Sequence, residues 1–143
     1  MIDVAWSIQG ANDQPILGNT HLPEANPRGG LLICHGFKGY KDYGFFPELA
    51  RCAAQHQLMA YRFNFSHSGM TNNVETFERP DLFERDTWSK QVHDVNAVMR
   101  AIASGVLPGA GLPLILFGHS RGGITASLVA SRNGSRVAGL VAA

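Results

Sequence analysis

Gly118-His119-Ser120-Arg121-Gly122 places a hydroxyl between two glycines, directly after four large apolar residues, Leu114 to Phe117. An apolar run that passes into Gly-x-Ser-x-Gly and then into a helix-compatible segment has the form of a buried strand turning sharply into a helix, with a serine at the corner. The glycines have a physical reason. The serine backbone at such a corner is strained, and strand and helix cross within a few atoms. Side chains at Gly118 and Gly122 would collide there. The corner lifts the Ser120 hydroxyl clear of the sheet. It also leaves the backbone N–H of Arg121 at a helix start, free to bind developing negative charge. The five-residue pattern is weak by itself in a chain with 16 glycines, since a Gly-rich loop after a strand gives the same letters.

Acyl transfer needs an attacking oxygen, a base, a group that orients the base, and donors for the oxyanion. Ser120 supplies the first. The N–H of Arg121 supplies one donor, and the second is expected from the loop after an earlier strand. That loop begins His35-Gly36-Phe37-Lys38-Gly39 and follows the apolar run Leu31-Leu32-Ile33-Cys34. A glycine at 36 lets the backbone approach the site, with the N–H of Phe37 facing the oxyanion. Alone, His35-Gly36 reads as a strand exit with a satisfied histidine; the serine corner two strands later favours the functional reading. Cys34 beside His35 could suggest a thiol nucleophile, but it closes an apolar run and reads as buried and structural. Lys38, Lys41 and Arg28 flank the loop and could favour acidic substrates, with a solvated loop the plainer reading. Phe83 and Trp88 could line a substrate pocket, with core packing the commoner role; Arg62 reads as a hydrogen-bonding residue at a turn, and His93-Asp94 as the solvated face of a helix.

These residues need a scaffold. Ile2 to Ile8 and Ile16 to Leu22 read as a hairpin around a turn-rich Gln9–Pro15 segment. Gly30 to Cys34 is continuously apolar, as a strand buried on both faces must be. Phe45 to His56 carries Phe46, Leu49, Ala50 and Ala53 at helical spacing. Leu58 to Phe63 is the next strand, Asn64 to Asn73 a turn region, and Val74 to Arg85 irregular. Asp86-Thr87 starts a helix with a stripe of Val92, Val95, Met99 and Ile102 that runs to Ser104. Leu112 to Phe117, Arg121 to Arg132 and Val137 to Val141 complete the chain as strand, helix and strand. Two leading strands followed by strand–helix alternation predict a single α/β domain over 1–143 with a doubly wound, mostly parallel sheet.

Composition narrows the partners. A net charge of +1 and 16% charged residues give no electrostatic case for nucleic acid or an anionic membrane. No apolar run reaches the roughly 20 residues of a membrane span, and the first residues lack a signal peptide's basic flank. Two cysteines make no disulfide framework, so the cytoplasm is the expected compartment.

Three motifs resemble the esterase/lipase and dienelactone-hydrolase-like branch of the α/β-hydrolases, over nearly the whole chain. They are His35-Gly36-Phe37 with Lys38 to Asp42, then Arg62-Phe63-Asn64-Phe65-Ser66-His67-Ser68-Gly69-Met70-Thr71, then Gly118-His119-Ser120-Arg121-Gly122-Gly123. In the second, His67 stands where the family usually has glycine and Thr71 where it has serine. The resemblance implies hydrolysis of an ester or related acyl bond without metal or other cofactor. It implies Ser120 as nucleophile and the N–H groups of Phe37 and Arg121 as oxyanion donors, with His35, Gly36, Gly118, His119 and Gly122 in support. The partner is a small acyl substrate.

One departure matters. In this fold the triad runs Ser, Asp or Glu, then His along the chain, yet no Asp, Glu or His follows Ser120. All six histidines (His21, His35, His56, His67, His93 and His119) precede it. The expectation is therefore a C-terminally incomplete α/β-hydrolase fold whose acid and base lie in a missing part. A non-catalytic hydrolase-like module that binds a small ligand or a partner chain is the alternative. Residues 137–141 would then be an exposed apolar edge strand, open to self-association.

Overall fold

In the computed structural model, which describes residues 2–143, the antiparallel hairpin forms from Ile2–Gln9 (β1) and Pro15–Leu22 (β2), in register from Ile2 opposite Leu22 to Gln9 opposite Pro15. A single 3₁₀ turn, Ala11–Asp13, closes it, with Asn12 and Asp13 at positive φ. Gly29–Cys34 (β3), Leu58–Phe63 (β4), Leu114–Gly118 (β5) and Gly139–Ala142 (β6) complete one sheet in the order β1-β2-β4-β3-β5-β6. β2 meets β4 antiparallel, and every pairing beyond is parallel. The sheet is the mostly parallel one that the alternation predicts.

β3 sits between β4 and β5, and all six of its residues are buried. Its side chains alternate between two layers. Leu32 and Cys34 join Tyr61, Phe63, Val95, Val98, Leu116 and Val129 on one face. Leu31 and Ile33 join Phe46, Ala50, Ala53 and Ala60 on the other. Phe46–Gln55 (α1) covers the second layer, while Trp88–Ala103 (α3) and Arg121–Arg132 (α4) cover the first. Each fully buried aliphatic side chain adds roughly 1.5–3 kcal/mol of transfer free energy, so the core holds the C-terminal ends of β3 and β5 side by side. Cys34 faces Gly118 across that pairing, and the loop after β3 and the corner after β5 therefore leave the sheet as neighbours.

The structure differs from the sequence reading in these elements. Within the segment read as irregular, Pro80–Glu84 forms a short helix (α2), with proline at a first-turn position where its missing N–H costs nothing. The last strand is Gly139–Ala142 rather than Val137–Val141; it pairs with β5 on one side, and Leu140 and Val141 are exposed. One difference is a correction: Asp94 does not lie on a solvated face. It shares the inner stripe of α3 with Gln91, Val95 and Val98, and is 1% exposed. Its carboxylate accepts the N–H of Ala11 (2.8 Å) and both the N–H and the hydroxyl of Ser66 (2.8 Å each). One buried group thereby joins the hairpin tip, the segment after β4 and α3. Burial raises its pKa, although the three donors oppose the shift.

Replacing Asp94 by alanine would leave the buried N–H groups of Ala11 and Ser66 without acceptors. Each stranded group costs about 1–3 kcal/mol, so urea unfolding of Asp94→Ala is expected to show a loss of roughly 2–4 kcal/mol. A change below about 0.5 kcal/mol, the range of a neutral surface substitution, would contradict this role.

Candidate active site

The corner after β5 has the geometry that its glycines predict. Ser120 has φ 56° and ψ −122°, a conformation unfavourable for a residue with a Cβ, and it is exposed. A Cβ on Gly118 would lie 2.3 Å from the Gly122 carbonyl oxygen. One on Gly122 would lie 2.3 Å from the Cys34 oxygen and 2.4 Å from that of His35. These are backbone collisions that no rotamer relieves. At Gly36 a Cβ would lie 3.2 Å from the Ser120 Cβ and 3.0 Å from the His119 oxygen, so the loop after β3 rests against the corner.

The main-chain donors here can be accounted for one by one. His119 N–H binds Cys34 O (3.1 Å), Ser120 N–H binds Ala143 O (2.8 Å), and Gly122 N–H binds His119 O (2.9 Å). Gly123 N–H binds Ser120 O (2.9 Å). Among the described residues, the N–H groups of Phe37 and Arg121 have no hydrogen-bond partner. They belong to the two segments that meet at Ser120.

His35 governs one of them. It is 4% exposed, and its Nδ1 lies 2.9 Å from the Gly36 oxygen while its Nε2 accepts the Phe65 N–H at 3.1 Å. That pattern requires the neutral ring with its proton on Nδ1. Burial lowers its pKa to about 4; the Gly36 hydrogen bond opposes the shift and the Arg121 charge adds to it. Gly36 C=O and Phe37 N–H belong to one peptide group, so His35 fixes the plane of the peptide that carries the Phe37 N–H. Gly39 N–H binds the same oxygen at 3.0 Å. The far end of the loop is held through β4. Asn64 Oδ1 accepts the Lys41 N–H (2.6 Å), and Arg62 donates to Lys41 O (3.2 Å) and Asp42 Oδ1 (2.6 Å). Arg62 also donates to His21 and Asp3, which ties the loop to the hairpin.

The other candidates take supporting places. His119 packs edge-on against Phe45 and Phe46, at 5.3 and 5.9 Å between ring centroids. His67 is buried with Nδ1 at 2.8 Å from the Ser66 hydroxyl; burial, then the charge of Lys90, lowers its pKa. The Cys34 thiol is fully buried and pushed up to about 12 by burial, which disposes of it as a nucleophile. Among the described residues, no group of three or more His, Cys, Asp or Glu could hold a metal ion, and no helix is long and apolar enough to cross a membrane. A cavity of about 860 Å³ opens at the other end of β5, between Arg100, Leu112, Leu114 and Ala138; it does not include Ser120.

The sequence reading missed a polar chain that pins α4 to α3. Thr125 donates to Gln91 Oε1 (2.7 Å), and Gln91 Nε2 donates to Asp86 Oδ2 (2.8 Å). Asp86 in turn faces the Arg121 guanidinium at 3.9 Å. Gln91 and Thr125 are almost fully buried. The available signal was positional: Gln91 lies three residues before Asp94 on the inner stripe, and Asp86 sits at a helix start.

The profile of the serine aminopeptidase family, S33, matches residues 25–143. The chain belongs to that family. Among solved structures it is similar to a thermostable carboxyl esterase from Bacillus coagulans in complex with glycerol (18% identity, TM-score 0.77), covering 99% of this chain and 44% of that one. It is similar to a dienelactone hydrolase from Anabaena variabilis (20%, 0.78), covering 99% and 62%. It is also similar to a cold-adapted esterase from an Arctic intertidal metagenomic library (16%, 0.78), covering 98% and 59%. No functionally curated protein sequence matches the chain. These likenesses show the α/β-hydrolase fold, and the S33 chain described here spans 44% to 62% of the length of those three structures.

The His35 shift fixes an acid response of the S33 domain. Below pH 6.5 the unfolded chain takes up a proton that the folded chain refuses until about pH 4. Stability from this group is complete above pH 6.5 and falls as pH drops through that window, by about 3 kcal/mol in all. His21 and His67, also lowered, add in the same direction. Urea titrations across the window should show a pH slope smaller by about one proton in His35→Gln; an unchanged slope would contradict a neutral, doubly bonded His35.

Proposed function

We propose that this domain is the nucleophile-bearing part of a serine hydrolase that cleaves a carboxylic ester or related acyl bond. One observation carries the reading: an exposed serine in a strained strand-to-helix corner, flanked by the two unspent N–H groups of Phe37 and Arg121. The likeness to an esterase and a dienelactone hydrolase supports it at the level of fold.

In the reaction, Ser120 Oγ attacks the acyl carbon while a base accepts its proton. The carbonyl oxygen gains the negative charge, which the Phe37 and Arg121 N–H groups stabilise together with the first turn of α4. Collapse of this intermediate expels the alcohol, which takes the proton from the base. Water then cleaves the acyl–serine bond by the same route in reverse order of roles. No cofactor is needed. His35 cannot be the base, because both of its nitrogens are spent and it remains neutral to about pH 4. His119 faces α1. The base and its acid are therefore assigned to chain beyond these residues. The absence of Asp, Glu and His after Ser120 also favours a second reading, a hydrolase-like module that binds without turnover.

A fluorophosphonate probe separates the two when imidazole is added as a substitute base. The proposal expects slow, stoichiometric phosphonylation at Ser120, accelerated by imidazole and absent from Ser120→Ala. Ester turnover by the chain itself should fall about 10⁴-fold or more below that of a complete triad. No labelling above the Ser120→Ala background, with imidazole present, would support the binding module instead.

A further inference from the structure

Resting on the serine-hydrolase reading of this site, we infer that Arg121 is its substrate-selecting side chain, and that the substrate is an ester bearing a carboxylate elsewhere in the molecule. The main-chain N–H of Arg121 has been placed at the oxyanion; its guanidinium has a separate task. It lies 4.5 Å from the centroid of the Trp88 ring and 5.9 Å from that of Phe37. Stacking on two aromatic faces holds a guanidinium in place without using any of its N–H donors. Those donors are unspent. Among the described residues, no hydrogen bond to the Arg121 side chain is made, and its Nε is buried without a partner. Its nearest carboxylate, Asp86, stands 3.9 Å from Nη1. That distance suits charge neutralisation but exceeds a hydrogen bond.

Asp86 is held on one side only, and its Oδ1 is buried without a hydrogen-bond partner. Gln91 occupies its Oδ2, and its side chain is 7% exposed. The counter-charge is thus buried behind the guanidinium while the Arg121 side chain keeps 21% exposure. The rim adds a second cation: Lys38 Nζ lies 5.7 Å from the Phe37 ring. The outer surface beside Ser120 is therefore apolar and cationic, built of Phe37 (58% exposed), Trp88 (40% exposed), Arg121 and Lys38.

A stacked guanidinium whose terminal N–H groups make no hydrogen bond, with its own carboxylate 3.9 Å away, matches a planar bidentate acceptor, which a carboxylate supplies and a neutral ester does not. The methylenes of the substrate would lie along Phe37 and Trp88. Because Arg121 directly follows the nucleophile, the two ends of the substrate must be separated by a short spacer, as in the monoester of a short dicarboxylic acid.

The test uses the whole chain with Ser120→Ala, so that binding is read without turnover, and with Trp6→Phe, so that Trp88 is the sole tryptophan. Monomethyl glutarate and dimethyl glutarate are titrated at constant ionic strength while Trp88 fluorescence is followed. The monoanion is expected to bind saturably and about tenfold or more tighter than the diester, the worth of one charge-assisted hydrogen bond. Adding Arg121→Gln should erase that preference, with circular dichroism confirming an intact fold. Equal binding of the two esters, or a preference that survives Arg121→Gln, would overturn the assignment. Ser120 phosphonylation is measured on the unmutated chain, so failure of the hydrolase reading and failure of this selectivity appear in different experiments.

Discussion

The close crossing of β5, α4 and the end of β3 is the constraint on which the rest of the structure depends. At Gly122 the helix backbone passes so near the Cys34 and His35 carbonyls that a single Cβ would come within 2.4 Å of both. At Gly118 the strand meets the first turn of α4 at a similar distance. That proximity forces the chain between them into the strained conformation of Ser120. Strain of this kind costs on the order of 1–3 kcal/mol and persists only where surrounding packing over-determines it. Here β3, buried on both faces and locked to β5 in parallel register, supplies the packing.

From that crossing the remaining features follow in order. Cys34 opposite Gly118 brings the loop after β3 against the corner, and Gly36 leaves room for it. The loop has few apolar contacts of its own, so buried polar groups shape it. His35 sets the Gly36–Phe37 peptide, and Arg62 and Asn64 hold Lys41 and Asp42. The segment after β4 receives both influences, because Phe65 N–H binds His35 and Ser66 binds Asp94. Several of these bonds join different elements: His35 to Phe65, Arg62 to Lys41 and Asp42, and Asp94 to Ala11 and Ser66. Such networks specify one arrangement more than they add net stability. The outcome is a pair of amide donors with nothing else to bind.

Much of this was legible in the residues. Continuous apolar runs gave β3 and β5, helical spacing gave α1 and α3, and the two glycines around Ser120 gave the corner. Those signals are local: a period or a steric requirement readable within a few positions. What escaped was non-local. Asp94 looked like the polar side of a helix because its partners, Ala11 and Ser66, are 83 and 28 residues away in sequence. Gln91 and Asp86 join Thr125 and Arg121 only after α3 and α4 pack together. α2 was hidden because five residues carry too little periodicity to be read. The alternation of elements gave the mostly parallel sheet, but no His, Asp or Glu follows Ser120 in these residues, so their order along the chain named no base.

The central claim is that the Phe37 and Arg121 amides point together at the position where an oxygen bound to Ser120 gains charge. Amide nuclear magnetic resonance of the chain before and after phosphonylation of Ser120 tests it most directly, with the phosphoryl oxygen standing in for the oxyanion. The account predicts that the Phe37 and Arg121 amide protons move downfield more than any others as they acquire a charge-assisted acceptor. If both stay in place while Ser120 carries the phosphonyl group, the two donors do not serve the serine, and the proposed catalytic geometry is contradicted.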